Sequence, residues 1–234
     1  MVLGVSLLVV LAVPGQGAGT EIYMRGRGRG VLELRSAEGT APQFSLLSLG
    51  SNFGTCQIEG RVEADTLTTS VAQGGGAPCL LGIRTDAATA EITSFSEGSD
   101  GCAAFCGAGA SPEGVYQRIP LRCAPRMVQA ARDASQLASE RGRYRTAARA
   151  LELVLACDFA IEPLEEASIR NDLASAYQHL RRDQACREVL APLEWLVEAT
   201  ERQLTTDGLP AETKAWLLLQ QSIRTNLRRC RSGP

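Results

Sequence analysis

The chain has 234 residues, 44% of them hydrophobic, and a formal net charge of −2. That length makes one large domain or two ordinary ones, and the composition excludes both a disordered tail and a basic module that coats nucleic acid. Arginine supplies 23 of the 24 basic residues, with Lys214 the sole lysine; the bias is read as base composition rather than as bidentate chemistry.

In chain order, Val2 to Val13 is an apolar run too short to cross a bilayer as a helix, but of the length found in a signal-peptide core. The small residues Gly15, Gly17, Ala18 and Gly19 offer a cleavage site. Residues 1–19 therefore read as a signal peptide, with no membrane span expected after its removal. No Lys or Arg precedes the run, and no cysteine follows closely enough for a lipid anchor. Eight cysteines, at 56, 79, 102, 106, 123, 157, 186 and 230, read in an exported protein as disulfides. Zinc is not expected. Cys102 and Cys106 have loosely suitable spacing, but a second close pair is missing and the chain has one histidine.

Residues 20–119 read as a β domain, a small antiparallel barrel or sandwich. Cys56, Ile58, Gly60 and Val62 alternate with Gln57, Glu59, Arg61 and Glu63, the pattern of a half-buried strand. A turn at Ala64-Asp65 then leads into Thr66–Val71 as the second strand of a hairpin. Gly74 to Pro78 breaks the chain. Cys79, Leu81 and Ile83 share a face, Asp86-Ala87-Ala88 turns, and Ala90 with Ile92 continues on a partner strand. Val31–Arg35, Gln43–Leu49 and Gly114–Arg118 are further strands. Pairing among Cys56, Cys79, Cys102 and Cys106 stays open, because three pairings exist.

Residues 120–124, with Pro120 and Pro125 at the boundary, form a linker. From 125 to 234 the periodicity becomes helical. Helices are predicted at Arg126–Arg141, Tyr144–Cys157, Pro163–Leu180, Asp183–Leu204 and Pro210–Arg229. Pro163 and Pro210 suit first-turn positions, and Pro192 should kink the fourth helix. The fold class is thus α+β, a small β barrel or sandwich followed by an array of helical hairpins.

Asn171 to Leu180, followed by Cys186, Leu190, Pro192 and Leu193, resembles a tetratricopeptide repeat. Leu173, Ala174 and Tyr177 take the first helix's packing positions, and Cys186 stands where the second helix carries a small residue. A partial copy runs from Gly142 to Ala147, with Leu151 and Val154. Ala147 and Cys186 are 39 residues apart, longer than the usual repeat of about 34. The resemblance spans roughly residues 125–230, about two and a half repeats. Because about three repeats are needed for independent stability, cross-links are expected to compensate. Antiparallel hairpins bring Cys123 to Cys157 and Cys186 to Cys230, whereas Cys157 and Cys186 fall at opposite ends of the stack, beyond the about 7 Å a bridge allows. The resemblance also implies a groove lined by the first helix of each pair: Arg132, Gln136 and Glu140, with Asn171, Ser175, Gln178 and His179. Taken singly, each reads as part of an ordinary solvated face. Leu173, Tyr177 and Leu180 read as core.

Catalytic patterns are lacking. His179 is the only histidine, and no nucleophile elbow, zinc-protease or nucleotide-loop motif occurs. Arg25 to Gly30, an Arg-Gly alternation, reads as a flexible, solvated hairpin rather than a nucleic-acid segment. Glu165 and Glu166 are first-turn acids favoured by the helix dipole. The expectation is a periplasmic or secreted, non-catalytic module, without cofactor or metal, that binds a protein or peptide of the cell envelope. The alternative is an inhibitor of a cell-wall hydrolase such as lysozyme, with the Gly101–Gly114 loop protruding into the enzyme's cleft.

Overall fold

The computed structural model describes residues 19–50, 54–62, 68–71, 79–95, 100–204 and 210–231. The signal segment up to Ala18, the Ala64-Asp65 turn and the Gly74–Pro78 break lie outside those residues. The chain is α+β, with an antiparallel sheet curled into a half-barrel followed by helices. The strands are β1 (Gly19–Arg25), β2 (Gly30–Ser36), β3 (Gln43–Leu49), β4 (Thr55–Arg61), β5 (Thr68–Val71), β6 (Cys79–Thr85), β7 (Thr89–Ser94) and β8 (Gly114–Ile119). Their order across the sheet is β4-β3-β2-β1-β8-β7-β6-β5.

Alternation sets the concave face. Tyr23, Leu32, Phe44, Leu46, Cys56, Ile58, Leu81, Ile83, Ile92 and Tyr116 bury into one core, and the Tyr116 hydroxyl donates to the Pro112 carbonyl at 2.8 Å. The β6–β7 turn follows from Asp86, whose carboxylate accepts from the amides of Ala88 and Thr89, each at 2.7 Å. One expectation needs correction. Among the described residues, the Cys56–Glu63 and Thr66–Val71 segments are not paired as a hairpin: β4 and β5 are the two terminal strands of the sheet order, close to each other in the curled sheet, and β5 pairs with β6. A period of two fixes which face a strand buries, but not which strand lies beside it.

The central strands are buried on both faces. Tyr23 points into the concave core, while its neighbours Ile22 and Met24, with Ile119 paired opposite Ile22, join Val128, Leu151, Ile161, Ile169 and Leu173 in a second core. Each such buried side chain contributes about 1.5–3 kcal/mol. Sheet and helices thus share apolar contacts rather than hanging on a linker.

The β1–β2 hairpin forms as expected, with Gly26, Arg27 and Arg29 exposed, but its turn is docked on the helices rather than free. Arg27 Nε donates to the Ile161 carbonyl at 3.2 Å, and its guanidinium pairs with Glu166. Gly28 sits against Glu162. Arg25 reaches the other way, donating to Ser48 Oγ at 2.6 Å with its guanidinium 5.3 Å from the Tyr116 ring centre. A guanidinium carries five donors in a fixed fork, and here those donors meet carbonyls and a carboxylate that water would otherwise serve.

After a short helix α1 (Asp100–Ala103) come α2 (Pro125–Glu140), α3 (Tyr144–Leu155), α4 (Pro163–His179), α5 (Asp183–Leu190), α6 (Glu194–Glu198), α7 (Glu201–Leu204) and α8 (Pro210–Arg231). The expected fourth helix is interrupted. Pro192 lies in a 3-10 turn over Ala191–Leu193 that separates α5 from α6, because proline removes a backbone donor from the ladder. The α2–α3 and α4–α5 turns share one geometry, with positive φ at Gly142 (68°) and Arg181 (55°). These two residues are 39 positions apart, as are Ala147 and Cys186. Ser135 Oγ donates to the Ala147 carbonyl at 3.2 Å, while Cys186 Sγ lies 3.3 Å from the Ala174 carbonyl.

Four disulfides connect the described residues: Cys56–Cys106, Cys79–Cys102, Cys123–Cys157 and Cys186–Cys230. Together they take up every cysteine, which leaves no thiolate for a metal. Cys123–Cys157 ties the start of α2 to the end of α3, and Cys186–Cys230 ties α5 to the end of α8.

Candidate functional site

Helix α3 packs against both α2 and α4, and the latter two stand apart. Between them lies a cleft of about 540 Å³. Its α2 wall carries Gln129, Arg132, Asp133 and Gln136, at intervals that place them on one helical face. Its α4 wall carries Asp172, Ser175, Ala176 and His179, and α3 contributes Tyr144 and Leu151 to the floor. Apolar residues on the other faces, among them Val128, Leu173 and Ala174, fix the rotation of each helix.

Three polar relationships shape the cleft. Arg132 bridges the walls by an ion pair with Glu165 at 2.8 Å. His179 stacks on Tyr144, with ring centres 3.8 Å apart and planes 4° from parallel. Asp133 accepts from Gln129 Nε2 at 2.8 Å. Asp172 is exposed at the cleft mouth, yet the protein around it strips away enough hydration to raise its carboxyl pKa, with Arg132 opposing the shift. No hydrogen-bond donor of the described residues reaches it.

The seven groove residues named from the sequence divide between two surfaces. Arg132, Gln136, Ser175 and His179 line the cleft. Glu140 ends α2 and accepts from Gln136 Nε2 at 3.1 Å. Asn171 and Gln178 do not belong to the cleft, which corrects their assignment. Asn171 is buried against α8, donating to Ser222 Oγ at 2.9 Å and accepting from Asn226 Nδ2 at 2.9 Å. Gln178 donates to Asn226 Oδ1 at 3.2 Å. Asn171 and Gln178 thus face α8, and the cleft face of α4 is 172-175-176-179. Sequence reading missed Asp172, Asp133 and Tyr144. The available signal was their spacing: Asp172 stands seven residues before His179, and Asp133 occupies in α2 the position of Asp172 in α4, 39 residues earlier.

The Gly101–Gly114 loop does not protrude, contrary to expectation. Cys102 and Cys106 anchor it to β6 and β4 respectively. The Gly107 amide donates to the Thr55 carbonyl at 2.7 Å, and the Gln57 amide donates to the Phe105 carbonyl at 3.0 Å. A Cβ at Gly50 or Gly54 would collide with the backbone of Gly109 or Ala108, so glycine there allows the loop to lie flat. Phe105 and Ala110 pack on the concave core. The loop therefore covers the free edge of β4, a surface that otherwise invites pairing with another chain.

Among the described residues no helix is long and apolar enough to cross a membrane, and no group of metal-ligating side chains assembles. Comparison with protein-family models, with curated proteins and with solved structures returned no match to this chain.

Proposed function

We propose that this chain is an exported, non-catalytic module, periplasmic or secreted, that binds a protein or peptide in the α2/α4 cleft. The observation that carries the reading is the cleft itself: two helix pairs with matching turns present polar side chains at equivalent positions into one open channel. The helical part is read as tetratricopeptide-like from its two helix pairs, related by a 39-residue offset between Gly142 and Arg181 and between Ala147 and Cys186 that is longer than the usual repeat of about 34. Helix α8 takes the place of a third first-helix and covers Asn171 and Gln178. Four disulfides are compatible with an oxidising compartment, and the apolar Val2–Val13 run supplies the export reading.

Hydrolase inhibition finds less support, because the loop that would enter an enzyme's cleft lies pinned on β4. Crosslinking pull-down from the native cell envelope tests the proposal. Wild type is compared with a Gln136→Ala/Ser175→Ala/His179→Ala variant, which leaves the Arg132–Glu165 pair in place. Loss of one specific partner in the variant is expected. A partner set unchanged by the substitutions would overturn the cleft as the working surface.

A further inference from the structure

Resting on the cleft as the binding surface, we infer that its occupant is a segment anchored by a cationic side chain, lysine or arginine, seated between Asp133 and Asp172. The charges of the cleft point one way. Among its described lining residues, Arg132 is the one arginine, and Glu165 already neutralises it at 2.8 Å. Asp133 and Asp172 have no cation paired with them. Asp133 is held by a neutral amide, Gln129, and Asp172 receives no donor at all. They stand at equivalent positions of two helices that face each other, so both carboxylates reach one channel from opposite walls.

The aromatic pair gives the second half of the fit. Tyr144 and His179 form a flat surface at one end of the cleft, held by stacking at 3.8 Å. A lysine or arginine carries an aliphatic stem that covers apolar surface while its charged end remains among polar groups, and an arginine also stacks on aromatic faces. Neutral or acidic side chains would leave Asp172 desolvated and unpaired. Arg132 acts on Asp172 only through its field, while its guanidinium is paired with Glu165, so a ligand cation supplies the direct hydrogen bonds that no described donor makes.

A random twelve-residue peptide library displayed on phage, selected against the disulfide-intact chain, tests this. Enriched peptides are then synthesised with a fluorescent label, and their affinity is read by anisotropy with the binding site mapped by backbone amide shifts. The expected peptides share a lysine or arginine and perturb amides of Asp133, Tyr144 and Asp172. Replacing that residue by norleucine or citrulline weakens binding at least tenfold. Asp172→Asn does the same, Asp172→Glu restores part of the affinity, and added salt reduces it. Peptides that bind in the cleft without a cationic residue, and ignore Asp172→Asn, would overturn this inference while leaving the cleft as the binding surface. Peptides that perturb only amides outside the cleft, or no enrichment at all, would overturn both. Amide spectra of each variant confirm an intact fold, and His179→Ala provides a second cleft variant.

Discussion

His179 lies flat on Tyr144, ring centres 3.8 Å apart, so the chain's only histidine joins the last turn of α4 to the first turn of α3. The contact bridges two consecutive helix pairs at the cleft end and leaves the imidazole exposed. Aromatic pairs of this kind add about 0.5–1.5 kcal/mol beyond the area they bury. His179→Ala should therefore lower stability by about that amount in urea denaturation, and His179→Phe should restore most of it. Equal midpoints for wild type and His179→Ala would show that the stack contributes nothing.

Glu166 gives the sheet–helix junction a pH signature. Partial burial works against its charge, but hydrogen bonds from Arg170 and Arg27 outweigh it and hold the carboxyl below its ordinary value of 4.5. A depressed folded-state pKa contributes stability above the unfolded value, and that stability is lost as pH falls through the folded value. Glu166→Gln should thus cost about 1 kcal/mol near neutral pH, with the difference closing as the pH drops below about 4.5. Thermal midpoints measured across pH 3–7 check the sign. A constant difference at every pH would mean that the pair contributes no charge-dependent stability.

Asp172 should behave in the opposite sense. Desolvation raises its folded pKa above the ordinary value of 3.8, with Arg132 as the opposing charge. A raised carboxyl pKa means that the folded chain loses stability as pH rises through that value. Asp172→Asn should leave the protein as stable as wild type, or slightly more so, at pH 7, and the gain should vanish below about pH 4. A carboxylate that costs stability and yet faces an open cleft fits a residue kept for binding. Pronounced destabilisation by Asp172→Asn in the same melts would contradict this.

The Cys186–Cys230 bridge closes a loop of sequence separation 44 and holds α8 against α5. Helix α8 packs on α4 and α5, so the bridge constrains the last helix of the chain. Replacing both cysteines by serine should cost about 2–5 kcal/mol. Hydrogen exchange should show the loss in α5 and α8 amides first, while β1 and β8 keep their protection. Uniform loss throughout the chain would indicate one cooperative unit instead.

Much of the fold was legible in local pattern. Alternation at Cys79, Leu81 and Ile83 located β6, Asp86 located its turn, and Pro163 located the start of α4, because each signal acts over a few residues. Placement of β5 beside β6 was not legible, since strand neighbours are set by the closure of the whole sheet. Docking of Arg27 on Ile161 and Glu166 was equally hidden, for the partners lie more than 130 residues away. Of the residues expected in a groove, Arg132, Gln136, Ser175 and His179 line the cleft. Repeat spacing misplaced Asn171 and Gln178, because the face α8 covers differs by one residue's rotation from the face left open.

The proposed function places this protein's partner in the α2/α4 cleft. Site-specific photocrosslinking tests it most directly, with a photoreactive residue at Gln136 inside the cleft and, as control, at Leu218, which is 58% exposed on α8. One discrete adduct is expected from position 136 in the native envelope, reduced by Asp172→Asn, and none from position 218. An adduct from position 218, with none from position 136, would contradict it and transfer the binding surface to α8.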